Sequence, residues 1–211
     1  RDVLGSRGLG DVYKRQEYTT NRSIMEAIAA LAEKYKAPVY MHASETESEV
    51  QDCIGRYGMT PTALFEQLGL WNYGGGAFHS VWVSNEDLNI YKKHGVYAVL
   101  NAGSNAKLAS GIAPVEKMLQ MGIPLAVGTD GPSSNNALDM FREMYLICVL
   151  QKLREKNAAA ADANAILKAA TAGSARCMGL PEADCIAPGK LADLTAVSYT
   201  HLRAHETLRH L

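Results

Sequence analysis

The sequence predicts an α/β fold in which short parallel strands alternate with helices. Three observations carry that prediction. Four short runs are almost continuously apolar, as strands buried on both faces must be. Segments of helical period, with recognisable start and stop signals, lie between them. Each apolar run also contains, or is soon followed by, a polar side chain: His42 and Glu45, His79, Asn101 and Asp130.

In chain order, Ile24, Ala27, Ile28, Leu31 and Ala32 recur at helical spacing behind Ser23-x-x-Glu26, a capping-box pattern, and predict a first helix. Residues 38–43 follow as a short apolar strand. Thr60-Pro61 opens a second helix with a cap and an N1 proline, and Gly69 closes it. The run Gly74-Gly75-Gly76 lacks the lysine and spacing of a phosphate loop and reads as a flexible lead-in to a strand at 77–83. Ser84 and Asp87 start another helix that Gly95 ends. Residues 96–100 and 124–128 are the third and fourth strands, with a helix at 115–121 between them. A long helix at about 138–156, two shorter ones, and a turn and strand at 186–194 complete the order. Four βα units imply a parallel sheet. A complete (β/α)8 TIM barrel takes roughly 250 residues, so these units supply about half of one.

Composition narrows the function. A 47% hydrophobic content over 211 residues is enough for one sizeable core. A formal net charge of -1 with mixed signs argues against a nucleic-acid-binding face or a basic membrane surface. Cys53, Cys148, Cys177 and Cys185 have no metal or redox spacing, no apolar run is long enough to span a bilayer, and no signal-peptide layout opens the chain. A soluble, cytoplasmic protein is expected.

Both ends read as foreign. One DNA word encodes residues 6–16, SRGLGDVYKRQ, and its reverse complement in a shifted frame encodes residues 197–207, VSYTHLRAHET. The word resembles a transposon adaptor used in sequencing libraries. Residues 1–16 and 197–211 are therefore expected to be adaptor-derived, with 17–185 as barrel and 186–196 as the start of a return into a small β-sandwich. His201 and His205, spaced i, i+4 like metal ligands on a helix, fall in the excluded tail with His210.

Reactive groups in βα barrels sit at the C-terminal ends of strands. Those ends carry His42 and Glu45, then His79, then Asn101 with Ser104-Asn105, then Asp130. Imidazole nitrogen with carboxylate oxygen suits a hard or borderline divalent metal, zinc foremost. Each residue has an ordinary explanation on its own. A histidine within an apolar strand is usually a satisfied core residue, Glu45 suits a helix start, and Asp130 in Asp-Gly-Pro suits a turn. Phe78, Trp82, Met118, Met121, Met140 and Met144 read as core packing. The succession of polar strand ends is what favours chemistry.

The motifs MHASETESEV, FHSVWVS, SNAKLASGIAPVEKM, GTDGPSSNNALDMFREM and APGKLADL, in this order, resemble the second half of the barrel in the amidohydrolase superfamily. The methylthioadenosine/S-adenosylhomocysteine deaminase group is the nearest resemblance, and it covers residues 17–196. It implies strands 5 to 8 of the barrel, one divalent metal (zinc, with iron the other candidate), a purine nucleoside substrate, and a full-length enzyme for which a homo-oligomer is the candidate assembly. His42 matches the fifth-strand metal ligand. Glu45 matches the acid that shuttles protons and touches the purine. His79 matches the sixth-strand histidine facing the attacking water and the reacting carbon. Asp130 matches the eighth-strand aspartate, a metal ligand and the base that takes the water's proton. Glu45, His79 and Asp130 are thus expected to be both catalytic and substrate-binding. The family's first-strand His-x-His and its ribose-binding residues have no counterpart here, Arg15-Gln16 stand where a His-Ala pair is expected, and Leu100 and Ala102 replace a frequent histidine and proline. The chain by itself is expected to be inactive and, with an open sheet edge, prone to aggregate. Other readings are a sister hydrolase acting on guanine, cytosine or a chlorinated triazine, and a non-catalytic α/β domain.

Overall fold

A computed structural model describes residues 20–193. In chain order the elements are α1 (Arg22–Tyr35), β1 (Val39–Ala43), α2 (Glu47–Tyr57), α3 (Pro61–Gln67), β2 (Gly75–His79), α4 (Asn85–His94), β3 (Val96–Leu100), α5 (Ala102–Lys107), α6 (Val115–Met121), β4 (Leu125–Val127), α7 (Pro132–Asn135), α8 (Met140–Glu155), α9 (Ala163–Lys168) and α10 (Ser174–Cys177). A π turn, Ala169–Gly173, joins the last two helices. The strands pair in sequence order, β1-β2-β3-β4, every pair parallel. That order is how a (β/α)8 barrel is wound, and β3 and α6 fall where the sequence placed them.

The strands alternate cleanly between two cores. Met41, Ala43, Ala77, Ala98, Leu100, Leu125 and Val127 face the helices, in one cluster with Phe65, Trp71, Leu88, Tyr91 and Met118. The opposite face carries Tyr40, Phe78, Tyr97, Val99 and Ala126, closed by Cys177 from α10. Tyr40 donates its hydroxyl to the Cys177 carbonyl, pinning α10 across this inner face. Burying both sides of the sheet in this way removes apolar area from water on each face, at roughly 25 cal/mol per Å2.

Some expectations are corrected. The cap of α1 is Asn21, whose side chain accepts from the Ile24 N–H at 3.0 Å, and Ser23 instead donates to Asn21 Oδ1 at 2.6 Å. Met25 and Ala32 are buried while Ile24 and Leu31 are exposed, because β1 is an edge strand and no described element covers that flank of the helix. The glycine run is not a loose lead-in. Gly75 and Gly76 belong to β2, and Gly75, at φ 118°, lies so close to β1 that a Cβ would collide with the Val39 carbonyl. The strand ends at His79 rather than at 83, and Trp82 is 42% exposed instead of core. Helices α2, α5 and α7 were not anticipated. Among residues 186–193 there is a turn and no strand, while Leu194, residues 17–19 and the tail histidines His201, His205 and His210 lie outside the described residues. No helix among the described residues is long and apolar enough to cross a membrane.

Two outcomes are expected. Gly75→Ala should lower unfolding stability by about 2–4 kcal/mol, read from denaturant melts, because the β1–β2 ladder must part to admit the methyl group. Burial pushes the Cys177 thiol up to about 11, whereas Cys185 is exposed. Alkylation at about pH 8 should therefore modify Cys185 well before Cys177, as peptide mass spectrometry would read.

Candidate active site

The C-terminal ends of β1 to β4 lie side by side, Ala43 in register with His79 and Leu100 with Val127. Left-handed backbone recurs just there. Ser44, His79, Ser80 and Asp130 have φ of 56°, 70°, 50° and 59°. A non-glycine residue with positive φ is uncommon and costs on the order of 1–3 kcal/mol unless its surroundings hold it. The effect on His79 is specific. Strict alternation would send it to the helix side with Ala77, yet its ring stacks on His42, which shares the other face with Tyr40. The ring centroids are 5.3 Å apart, with 27° between the planes.

The turn is held from below and from the side. Ser80 N–H donates to the Ala43 carbonyl at 3.2 Å, and the Val81 and Trp82 N–H groups donate to Ser44 at 3.0 and 2.8 Å. Beneath it, Ser80 Oγ donates to the Ala77 carbonyl and meets the buried Tyr91 hydroxyl at 3.3 Å. Thr62 Oγ1 also reaches that hydroxyl.

His79 is 1% exposed. Its Nδ1 lies 2.7 Å from Asn105 Oδ1. An amide oxygen only accepts, so Nδ1 carries the proton, which in the neutral ring leaves the lone pair on Nε2. Nε2 faces Glu45 Oε2 at 3.7 Å. Glu45 in turn accepts from Ser110 Oγ at 3.3 Å, and the Ser110 carbonyl accepts from Trp82 Nε1 at 2.7 Å.

Asp130 joins the group through α5. Ser104, next to Asn105, donates to Asp130 Oδ2 at 2.6 Å, and Gly131 N–H donates to Oδ1 at 2.6 Å. Burial works to raise the Asp130 carboxyl. The donors Ser104, Gly131 and Ser134, with the nearby His79, outweigh it and hold the group below the usual aspartate value. One turn of helix therefore touches both His79 and Asp130.

All four residues singled out in the sequence thus meet at one mouth: His42, His79 and Glu45 directly, Asp130 through Ser104-Asn105. Asn105 and Ser104 had been noted only as following Asn101, and Ser110 was missed altogether. Its contact with Glu45 spans 65 residues and leaves no local signal. The donor chemistry, imidazole beside carboxylate, fits a divalent zinc-like ion. Among the described residues no three His, Cys, Asp or Glu side chains converge as a group able to hold a metal ion.

Fold and mouth together define part of a βα barrel with imidazole and carboxylate side chains at its strand ends. The profile of the amidohydrolase family matches residues 7–209, and the chain belongs to that family; the match reaches into both segments set aside as foreign. Among curated relatives, a 5-methylthioadenosine/S-adenosylhomocysteine deaminase of Pyrococcus furiosus is 40% identical over 181 residues, 86% of this chain and 43% of the relative. A 5'-deoxyadenosine deaminase of Methanothermobacter thermautotrophicus is 38% identical over 181 residues, 86% of this chain and 42% of the relative. Among solved structures, a zinc-bound adenosine deaminase from Xanthomonas campestris superposes with a TM-score of 0.78 at 37% identity, covering 83% of this chain and 40% of that one. The chain spans about two fifths of the length of the curated relatives it matches.

The hydrogen bond from His79 generates a spectroscopic expectation. Ring 15N shifts of His79 should report the neutral tautomer protonated on Nδ1, and Asn105→Leu should abolish that preference. A wild-type ring protonated on Nε2 alone would overturn the assignment.

Proposed function

We propose that this chain supplies strands 5 to 8 of a metal-dependent aminohydrolase that converts a 5'-modified adenosine to the inosine product and ammonia. The observation that carries the reading is the contact set His42–His79–Glu45 at adjoining parallel strand ends, with ring stacking at 5.3 Å and Nε2 to carboxylate at 3.7 Å. The names of the relatives, deaminases of methylthioadenosine, S-adenosylhomocysteine and 5'-deoxyadenosine, support the substrate class. The zinc-bound neighbour supports the metal.

His42 and Asp130 would hold the ion, whose charge makes water acidic enough to attack at neutral pH. Asp130, kept anionic by its donors, takes the proton from the attacking water. The lone pair of His79 Nε2 accepts a hydrogen bond from that water and aligns it with the purine carbon bearing the amino group. Glu45 delivers a proton to the adjacent ring nitrogen as the C–O bond forms, then takes up the proton of the new hydroxyl while Asp130 hands the water's proton on to the amino group. The C–N bond breaks and ammonia leaves. Ser110 holds one oxygen of Glu45, and the other faces the His79 ring.

The same reading includes a homo-oligomeric full-length enzyme in the cytoplasm, with no nucleic-acid or membrane partner, in line with the formal charge of -1. It also takes residues 1–16 and 197–211 as adaptor-derived, supported by the strand-inverted DNA word. Sequencing the native locus across both junctions tests that point.

In the full-length protein, Glu45→Gln should reduce kcat by roughly 100- to 10,000-fold with metal content unchanged, whereas His42→Ala should lose the metal by elemental analysis. A steady-state panel should favour 5'-methylthioadenosine, S-adenosylhomocysteine or 5'-deoxyadenosine over guanine, cytosine and chlorinated triazines. Near-normal turnover by Glu45→Gln would sink the mechanism, and a preference for one of the latter substrates would sink the substrate class.

A further inference from the structure

Glu49 is 4% exposed and sits in the first turn of α2. Part of its role is ordinary. With Thr46 it forms a capping box: Glu49 N–H donates to Thr46 Oγ1 at 3.2 Å, and Thr46 N–H donates back to Glu49 Oε2 at 3.3 Å. Its two shorter bonds reach beyond the helix. Ser44 N–H donates to Oε1 at 2.8 Å and Glu45 N–H donates to Oε2 at 2.7 Å.

The capping box of α4 supplies an internal comparison. There Asp87 accepts from the cap N–H of Ser84 at 2.8 Å, and its other oxygen takes the Thr60 hydroxyl on a neighbouring helix. Asp87 ties helix to helix. Glu49 spends both oxygens on three consecutive main-chain N–H groups, and the middle one belongs to Glu45. The segment it grips begins at Ser44, whose φ of 56° is itself a conformation needing outside support.

Burial pushes the Glu49 carboxyl up. The N–H groups of Glu45, Ser44 and Thr46 pull it down, the nearby Glu45 carboxylate adds to the upward push, and the net displacement is upward. Capping a helix of about three turns does not need so buried a carboxylate. An N-cap threonine alone is worth about 0.5–2 kcal/mol.

We infer that Glu49 is a positioning residue for Glu45: its carboxylate clamps the backbone from Ser44 to Thr46 so that the Glu45 side chain is aimed between His79 Nε2 and Ser110 Oγ. The inference rests on the reading of Glu45 as the proton-shuttling acid. Without the clamp, Ser44 relaxes out of the left-handed region and the Glu45 carboxylate swings away from the reacting nitrogen. A displacement near 1 Å at a reacting group costs as much as about 100-fold in rate. His42 stays on β1, so metal binding is spared.

The experiment is a double-mutant cycle in the full-length, metal-loaded enzyme, with 5'-methylthioadenosine as substrate: wild type, Glu49→Gln, Glu45→Gln and the pair together. Gln keeps the shape of Glu49 but turns an NH2 group toward an N–H donor, so one limb of the clamp opens. Glu49→Gln should lose roughly 10- to 100-fold in kcat, with metal content at the wild-type level. In the Glu45→Gln background the same change should cost less than about threefold, since residues acting as a unit are not additive. A Glu49→Gln enzyme with kcat within twofold of wild type would overturn the inference, as would an equal loss in both backgrounds, which a purely structural role predicts. If Glu49→Gln does not fold, Glu49→Asp replaces it in the cycle; Asp keeps the charge but is too short to reach all three N–H groups. A wild-type enzyme that fails to deaminate any adenosine derivative would sink the proposed function. An active wild type with an indifferent Glu49 would sink this inference alone.

Discussion

The mouth depends on backbone held in the left-handed region at the strand ends. A strand delivers side chains alternately to two faces, and in a sheet covered on both sides each face is already filled with apolar groups. A polar side chain whose place in the alternation falls on the helix side reaches the opening only where the alternation is broken. His79 breaks it with φ 70°, and Ser80 with φ 50° continues the turn. The cost is met locally. Ser80 is tied to Ala43, Ala77 and Tyr91, and Tyr91 packs edge-on against Trp71 at 6.3 Å, which packs edge-on against Phe65 at 5.5 Å. The largest buried side chains thus lie directly beneath the most strained backbone. The core here is an anvil for the active-site turn as well as a source of stability.

That constraint explains what the sequence revealed and what it hid. Strand β3 and helix α6 were legible residue for residue because one is a bare apolar run and the other has a glycine stop at Gly122, φ 70°. Strand β2 was drawn too late because Val81, Trp82 and Val83 prolong its apolar run past the turn. Only a glycine would have announced a positive φ, and the turn uses histidine and serine instead. Helix α2 was overlooked because its buried side is narrow, just Glu49, Val50 and Cys53, although Thr46-x-x-Glu49 was there to be read. Helices α5 and α7, six and four residues long, are too short to show a period. The site residues themselves were legible because chemistry needs particular side chains at particular ends. Their partners, Asn105 to His79 across 26 residues and Ser110 to Glu45 across 65, were not, because hydrogen bonds between distant segments leave no pattern in the chain.

Buried carboxylates do a second kind of work. Glu143, 0% exposed, lies in the first turn of α8 and accepts from Gly103 N–H at 2.9 Å and from Asn135 Nδ2 at 2.7 Å. Asn135 also donates to the Thr129 carbonyl at 2.6 Å, one residue before Asp130. A Cβ at position 103 would collide with both Glu143 and Asn135, so glycine is required there. One acid thus ties the loop after β3 to the loop after β4, as Glu49 ties the loop after β1 to α2. Neither acid has a lysine or arginine as its hydrogen-bonding partner. Each is matched instead by N–H groups at fixed positions, which makes the match geometric and demanding.

This division of labour has a consequence for Asp130. In the proposed roles of metal ligand and proton acceptor it must stay anionic in a partly buried place, where burial alone pushes the carboxyl up. Ser104 and Gly131 each donate to one of its oxygens, and Ser134 adds a third donor. Ser104 reaches Asp130 only because the two loops are held together, and Glu143 and Asn135 hold them. The packing of α8 against α5 thus bears on Asp130 through the placement of its donor Ser104. The same turn of α5 fixes the tautomer of His79 through Asn105. Proton acceptor and imidazole are adjusted by one rigid piece, so neither can be retuned without moving the other.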